Sequence, residues 1–126
     1  MALREPVAQL LAGLRDRAVE LPEAWEDHPW GETVVKVRRK IFVFLGVGDG
    51  SHPPGVGVKL LPSHEEALGL PGAAPMGYGL GKAGWVSIRL DGEPPPSDLL
   101  FDWVEESYRL VAPKTLVAIL DANRPT

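Results

Sequence analysis

Cysteine is absent from this 126-residue chain, and its absence excludes several kinds of chemistry. Without thiols the protein has no disulfide, no thiolate zinc site, no iron–sulfur cluster and no cysteine nucleophile. No uninterrupted apolar run is long enough to cross a bilayer. The apolar residues of the opening, "MALREPVAQLLAGL", are spaced rather than continuous, unlike those of a signal peptide. We therefore expect a cytoplasmic protein that makes no contact with membranes.

The chain does have enough apolar sequence for one ordinary core. Its hydrophobic fraction is 44% and its charged fraction is 24%, both normal for a globular protein. A chain of this length buries roughly two-thirds of the surface that its unfolded form exposes. We expect residues 1–126 to form a single domain that folds without a metal or a disulfide.

The charges are distributed unevenly along a chain whose net charge is −4. Residues 1–33 sum to −4, residues 34–63 to +4 and residues 93–126 to −3. Most of the positive charge comes from the stretch "VKVRRK", residues 35–40. A basic segment between acidic ends indicates an anionic partner for the middle of the chain.

The basic stretch belongs to a predicted β-hairpin. From Thr33 to Val47 the apolar residues alternate, and the chain is expected to turn near Arg38-Arg39 or near Arg39-Lys40. A regular hairpin would place four residues on one apolar face: Val35, Val37, Phe42 and Phe44. The other, mixed face would hold Val34, Lys36, Arg38, Ile41, Val43 and Leu45. Because positive φ costs energy in residues other than glycine, arginines here predict either a wider turn or a tolerated strain.

Three helices and two more strands are predicted around the hairpin. One amphipathic helix spans about residues 5–19, a short helix follows Ser63, and another helix follows Ser97. The strands are "VGVKLL" and "WVSIRL", while "LPEAWEDHPWGE" is predicted to be a loop. The apolar start of "TLVAILDANRPT" is expected to dock on the domain. This order predicts an α+β fold, an antiparallel sheet with N-terminal and C-terminal helices packed on one face.

Four stretches in sequence order resemble the MmcQ/YjbR family over about residues 20–115: "HPWGETVVKVRRKIFVFLG", "VGVKLLP", "GLGKAGWVSIRL" and "SYRLVAPK". The resemblance implies a compact fold similar to the CyaY (frataxin-like) group and DNA binding through a double-wing motif. Several residues match recurring polar and aromatic positions of the family: Lys40, Lys59, Lys82, Trp85, Ser107, Tyr108 and Lys114. The chain departs from the family at the hairpin turn, where Gly-Gly is common, and at Gly81, where Asn is common.

The basic hairpin is the main candidate for function, with DNA as the expected partner. A wing that lies along a phosphate backbone needs cations at its tip, because phosphate contacts supply most non-specific affinity. The predicted nucleic-acid-binding residues are Lys36, Arg38, Arg39, Lys40, Lys59 and Lys82. The hairpin cations among them are expected to face solvent, free of neighbouring acids. The simpler alternative is a sheet edge that charge protects against aggregation. The pI of about 5.3 is low for a dedicated nucleic-acid binder.

A second candidate is a small-ligand or protein-partner site at the junction of helix and sheet. Its predicted residues are Trp30, Trp85, Ser107 and Tyr108, with Lys40 and Lys82 beside them. Lys40 is on the apolar face of its hairpin by parity, so it is expected to reach solvent or to find a partner such as Tyr108 or Glu32. A few polar groups beside aromatic rings are typical of ligand sites. The same residues could instead form a hydrogen-bond network that fixes a helix on the sheet. A third possibility is self-association through the mixed face of the hairpin, at Val34, Ile41 and Val43.

Other chemistry has little support in the sequence. His28, His52 and His64 lack the spacing of metal ligands. One acidic series is similar to the ridge with which frataxins bind iron, but it runs through a proline-broken loop: Glu20, Glu23, Glu26, Asp27 and Glu32. Neither "GYGLGKA" nor "GVGDGS" has the spacing of a phosphate or dinucleotide loop, and no nucleophile elbow is present. We expect no metal, no cofactor and no enzymatic activity.

Overall fold

Four helices and six strands make up the protein, whose computed structural model describes residues 5–48 and 53–124. The helices are α1 (Glu5–Ala18), α2 (His64–Leu68), α3 (Ser97–Val111) and α4 (Lys114–Ala122). The strands are β1 (Ala24–Asp27), β2 (Thr33–Val37), β3 (Lys40–Gly46), β4 (Gly55–Lys59), β5 (Ala73–Pro75) and β6 (Trp85–Arg89). Short 3-10 turns occupy Pro29–Gly31 and Leu80–Ala83.

The strands form one antiparallel sheet in the order β1-β2-β3-β4-β6-β5. Helix α3 packs against β3 and β4 and also against α1. The predicted α+β class and antiparallel sheet are confirmed. No helix in the described part of the chain combines the length and apolar character that crossing a membrane requires.

The main core lies between the helices and one face of the sheet. Helix α1 contributes its apolar stripe, in which Leu11 and Leu14 are buried, and ends at Ala18 as the spacing predicts. Helix α3 contributes Trp103, which is only 2% exposed. Full burial of each such large side chain stabilises the fold by roughly 2–3 kcal/mol. Val58 of β4 and Val86 of β6 are also in this core.

A β-bulge changes the predicted faces of the hairpin. The pairing of β2 with β3 shifts between Val35, which pairs with Val43, and Lys36, which pairs with Ile41. Phe42 is therefore an extra residue in β3, and both Phe42 and Val43 are buried in the helix-side core. Phe44 lies on the opposite face of the sheet, so its predicted placement beside Phe42 is wrong.

The bulge also removes the surface that was considered for self-association. Val43 and Leu45 were expected on the mixed face with Val34, but both belong to the helix-side core. Val34 itself is fully buried. Only Ile41 of the three expected contact residues retains partial exposure. The predicted patch is therefore not an exposed surface.

The face of the sheet away from the helices carries a smaller cluster of its own. The Phe44 and Trp85 rings lie edge to face with centroids 5.4 Å apart. Gly57 lies between them on β4, and a Cβ there would come within 2.9 Å of Met76 Sδ. Because Gly57 has no side chain, Met76 can pack directly on the sheet and anchor the loop that follows β5.

Two segments for which no helix or strand was predicted are regular in the structure. Residues 24–27, expected to be part of a loop, form edge strand β1, and residues 114–122 form helix α4, of which Leu116 and Leu120 are buried. The expected caps also differ. Neither Ser63 nor Ser97 makes a side-chain cap hydrogen bond to its helix.

Candidate functional site

The hairpin turn is tight and strained. Val37 pairs directly with Lys40, so the turn contains only Arg38 and Arg39. Arg38 has φ of 56°, in the left-handed region that costs a non-glycine residue roughly 1–2 kcal/mol. The Trp25 indole N–H donates a 2.8 Å hydrogen bond to the Arg38 carbonyl and holds this conformation from β1. Of the two expected alternatives, the structure has the strained turn.

Three segments meet at the end of the sheet where this turn lies. Strand β4 ends there at Lys59, which pairs with Trp85 at the start of β6. The loop from β5 to β6 lies at the same end, because Pro75 pairs with Val86. We call the set the basic end; it comprises Arg38, Arg39, Lys40, Lys59 and the loop of residues 76–84, which carries Lys82.

Two of the cations predicted to contact nucleic acid are paired with carboxylates. Lys36 Nζ lies 2.7 Å from Asp27 Oδ2 and 5.2 Å from the centroid of a Trp25 ring. The Lys36 hydrogen bond holds the pKa of Asp27 below its ordinary value. Arg38 Nε lies 3.4 Å from Glu23 Oε1, and both side chains are about half exposed. The expectation that the hairpin cations are free of neighbouring acids is therefore wrong for Lys36 and Arg38.

The remaining predicted cations are not paired in this way. Within residues 5–48 and 53–124, no carboxylate lies within 4 Å of four side chains: Arg39, Lys40, Lys59 and Lys82. Arginines elsewhere have such partners: Arg15, Arg17, Arg89, Arg109 and Arg124. Of the described cations only Lys114, on α4, also lacks one. Four of these five unpaired cations therefore lie at the basic end.

Helix α3 fixes the ends of the strands that carry these cations. Ser107 is fully buried, and its Oγ donates to the Phe42 carbonyl at 2.5 Å and accepts from the Lys59 N–H at 2.9 Å. The last paired residues of β3 and β4 are Val43 and Val58. The Ser107 hydroxyl thus connects the Phe42 carbonyl to the Lys59 N–H, just beyond that last pair and at the bulge. We call this contact the Ser107 bridge.

Glu106 continues the attachment beyond the end of β4. Its carboxylate accepts hydrogen bonds from the backbone N–H groups of Leu61 and Ser63, and from the Ser63 hydroxyl at 2.7 Å. The sequence did not single out Glu106, although it stands directly before the Ser-Tyr pair. Together with the Ser107 bridge, it ties the chain on both sides of Lys59 to one helix.

The part of the chain described so far matches a known protein family in sequence. Residues 19–110 match the sequence profile of the YjbR family. The chain belongs to the YjbR family. This confirms the resemblance found in the sequence, and the matched span contains the whole sheet, the basic end and the Ser107 bridge. No curated protein sequence matches the chain significantly.

The four residues predicted as a ligand pocket of this YjbR protein do not converge. Ser107 and Tyr108 lie on the helix side, where the Tyr108 ring meets Phe42 edge to face at 5.2 Å. Trp85 lies on the other face of the sheet, against Phe44. Trp30 is 89% exposed, in the turn between β1 and β2 at the end of the sheet away from the basic end.

Tyr108 has a structural contact of its own. Its hydroxyl donates a 2.8 Å hydrogen bond to the Pro22 carbonyl, which holds the segment before β1 against α3. Burial, and secondarily the charge of Glu23, raises the pKa of Tyr108. The interpretation of Ser107 and Tyr108 as a network that fixes the helix on the sheet agrees with these contacts. Lys40, expected on an apolar face with a partner such as Tyr108, is instead exposed.

The residues considered for metal binding are also dispersed. His28 Nε2 contacts Glu26 at 2.7 Å, while His64 Nε2 is buried without a hydrogen-bond partner in the described part of the chain. His52 lies outside the described residues. Among residues 5–48 and 53–124, no three His, Asp or Glu side chains converge as metal ligands would. Within the acidic series, Asp27 and Glu23 are engaged by hairpin cations.

Proposed function

We propose that this YjbR protein binds nucleic acid through its basic end and acts as a binding protein rather than an enzyme. The observation that carries the proposal is the segregation of the unpaired cations. Most described cations have a carboxylate of the described residues within 4 Å, whereas Arg39, Lys40, Lys59 and Lys82 have none among residues 5–48 and 53–124. Such a cluster repels itself in the free protein and is stabilised by an anionic partner.

The dimensions of the basic end suit a phosphate backbone. Its cations lie on β3, on β4, in the turn that precedes β3 and in the loop that leads into β6, and these three strands are consecutive in the sheet. At roughly 4.8 Å between strands, this array is about 10–15 Å wide. One DNA strand carries a phosphate about every 3.4 Å of helix rise, so the array faces about three or four phosphates.

The overall charge of −4 does not oppose this binding strongly. Surface charges are screened beyond about 8 Å at physiological ionic strength, so the acidic helices act weakly at the basic end. Several of their carboxylates are also neutralised within the helices, as Asp121 is by Arg109 at 2.6 Å. The local field at the basic end therefore governs the encounter with phosphate.

The structure changes the roles assigned to two residues. Arg38 and Lys36 would have to leave Glu23 and Asp27 before contacting phosphate, so they contribute less than the unpaired cations. Lys36 instead stabilises the hairpin by its contacts with Asp27 and Trp25. The phosphate contacts are assigned to Arg39, Lys40, Lys59 and Lys82.

Salt-dependent binding tests the proposal. Fluorescence anisotropy with labelled duplex and single-stranded DNA is measured from low to moderate KCl for the wild type and for Arg39→Ala with Lys40→Ala. The wild-type affinity should fall steeply with salt, and the double variant should reduce the slope of log K against log[salt] by about 1.4–1.8, since each lost phosphate contact accounts for about 0.7–0.9.

Arg89→Ala provides the control, because Arg89 is an exposed cation at the end of β6, whereas Lys59 pairs with Trp85 at the start of that strand. Its removal changes net charge without removing a proposed contact, so its slope should match the wild type. No binding at low salt, or an equal effect of Arg89 and of the hairpin cations, would refute the proposal.

A further inference from the structure

A fully solvent-exposed aromatic side chain lies in the loop of the basic end. Tyr78 is fully exposed, and it has φ of 59° in the left-handed region. A tyrosine that neither packs on the protein nor relaxes its backbone has no role in holding this fold together. Backbone strain of this kind persists where the surrounding structure imposes it, and such positions concentrate at functional sites.

The loop that carries Tyr78 is held firmly. The Gly81 N–H donates to the Met76 carbonyl at 3.0 Å, and the Leu80 N–H donates to the Gly77 carbonyl at 3.1 Å. The Met76 N–H donates to the Trp85 carbonyl, and the Met76 side chain packs over Gly57. The tyrosine ring is thus presented from a closed loop that is anchored to the sheet.

Tyr78 lies at the same end of the sheet as two lysines and a second aromatic residue. Lys82 follows it in the same loop, and Lys59 ends the neighbouring strand β4. Trp25, which is 44% exposed, stands on β1 at the same end of the sheet. Aromatic rings beside a cationic groove are how proteins bind single-stranded nucleic acid, because unpaired bases stack on the rings while lysines contact phosphates. A duplex offers no free base faces along its length and would leave the ring without a partner.

We infer that the basic end prefers single-stranded nucleic acid, with one unpaired base stacked on Tyr78 and adjacent phosphates on Lys82 and Lys59. The inference rests on the proposed function and names the substrate class of the same site. The hairpin side supplies Arg39 and Lys40 for the continuing backbone.

The test compares ligands as well as variants. The affinities of the full chain for labelled oligothymidylate and oligouridylate of about 15 nucleotides, and for a duplex of about that length, are measured at one salt concentration. Tyr78→Ala should weaken single-strand binding about tenfold and leave duplex binding within about twofold. Tyr78→Phe keeps the ring and should bind single strands like the wild type.

Trp30→Ala is the matched control. Trp30 is also an exposed aromatic residue with left-handed backbone, φ 55°, but it lies at the opposite end of the sheet. This variant should bind all three ligands like the wild type. Because both side chains are exposed, circular dichroism and thermal unfolding of each variant should match the wild type and exclude misfolding as a cause.

The outcomes separate the two claims. A Tyr78-dependent preference for either single-stranded ligand supports the inference, and the larger of the two effects identifies DNA or RNA. If Tyr78→Ala changes nothing, or weakens duplex and single-strand binding equally, the inference is overturned while the proposed function stands on the Arg39 and Lys40 results. If no nucleic acid binds, both fail.

Discussion

Removing the Ser107 hydroxyl deletes a single oxygen atom, but it should destabilise the protein strongly. Ser107→Ala deletes the donor to the Phe42 carbonyl and the acceptor for the Lys59 N–H, both at the junction of β3 and β4. Ser107 is fully buried, so water does not readily replace the lost partner. Each backbone group left unsatisfied costs about 1–3 kcal/mol. With two such groups, we expect the free energy of unfolding to fall by about 2–6 kcal/mol.

Chemical denaturation followed by far-ultraviolet circular dichroism measures this loss. The midpoint should move to lower urea concentration at an unchanged m-value, because the surface exposed on unfolding hardly changes. The melting temperature should fall by roughly 10 °C for a domain of this size. The control is Ser97→Ala in the same helix, where the serine is exposed and makes no side-chain cap hydrogen bond.

A result in which Ser107→Ala and Ser97→Ala unfold within about 0.5 kcal/mol of each other would refute the reasoning. It would mean that the hydroxyl is not a structural bridge between α3 and the two strands. The residue would then again be a candidate for a ligand contact, as the alternative interpretation of the sequence suggested.

Three other substitutions test single contacts. Tyr108→Phe should cost about 1 kcal/mol at neutral pH, and it should reduce the loss of stability above pH 10.0, because the raised pKa of Tyr108 makes the native state hold a proton that the unfolded state has released. Asp27→Asn should lower the free energy of unfolding at neutral pH. In urea titrations this difference from the wild type should shrink and then vanish as the pH falls below 3.8, because the lowered pKa of Asp27 keeps its carboxylate ionised and paired with Lys36 at higher pH. Gly57→Ala should cost about 1 kcal/mol by displacing Met76, and a Met76→Ala background should remove that cost; equal costs in both backgrounds would contradict the proposed packing.

The regular parts of the fold could be predicted because each has one unbroken period. The i, i+3, i+4 stripe of α1 and the alternation in β4 indicated their buried faces, and the alternation in β6 indicated a strand. The bulge at Phe42 could not be predicted in this way. Phe42 and Val43 are both apolar, and two consecutive apolar residues fit a regular strand with mixed faces as well as a bulge.

Strand β1 and the ion pairs escaped prediction for a different reason. Trp25 and Asp27 lie on the same side of β1, yet one is aromatic and the other is acidic, so the strand shows no apolar–polar alternation. What each side chain contacts is set by β2 and by the hairpin turn. Which acids neutralise which cations is set by β1 lying beside β2, a pairing between segments that the sequence had assigned to a loop and a hairpin. The cationic stretch was therefore visible, but its division into paired and unpaired side chains was not.

The hydrogen bond from Trp25 to the Arg38 carbonyl makes the turn optically observable. An indole whose N–H is engaged by a strained backbone carbonyl will shift its emission when that carbonyl moves. Once Trp30 is replaced by phenylalanine, Trp25 is the one solvent-exposed tryptophan, since Trp85 and Trp103 are buried. The protein thus contains its own fluorophore at the point where a strand of nucleotides is proposed to dock, so a titration can be followed without attaching a dye.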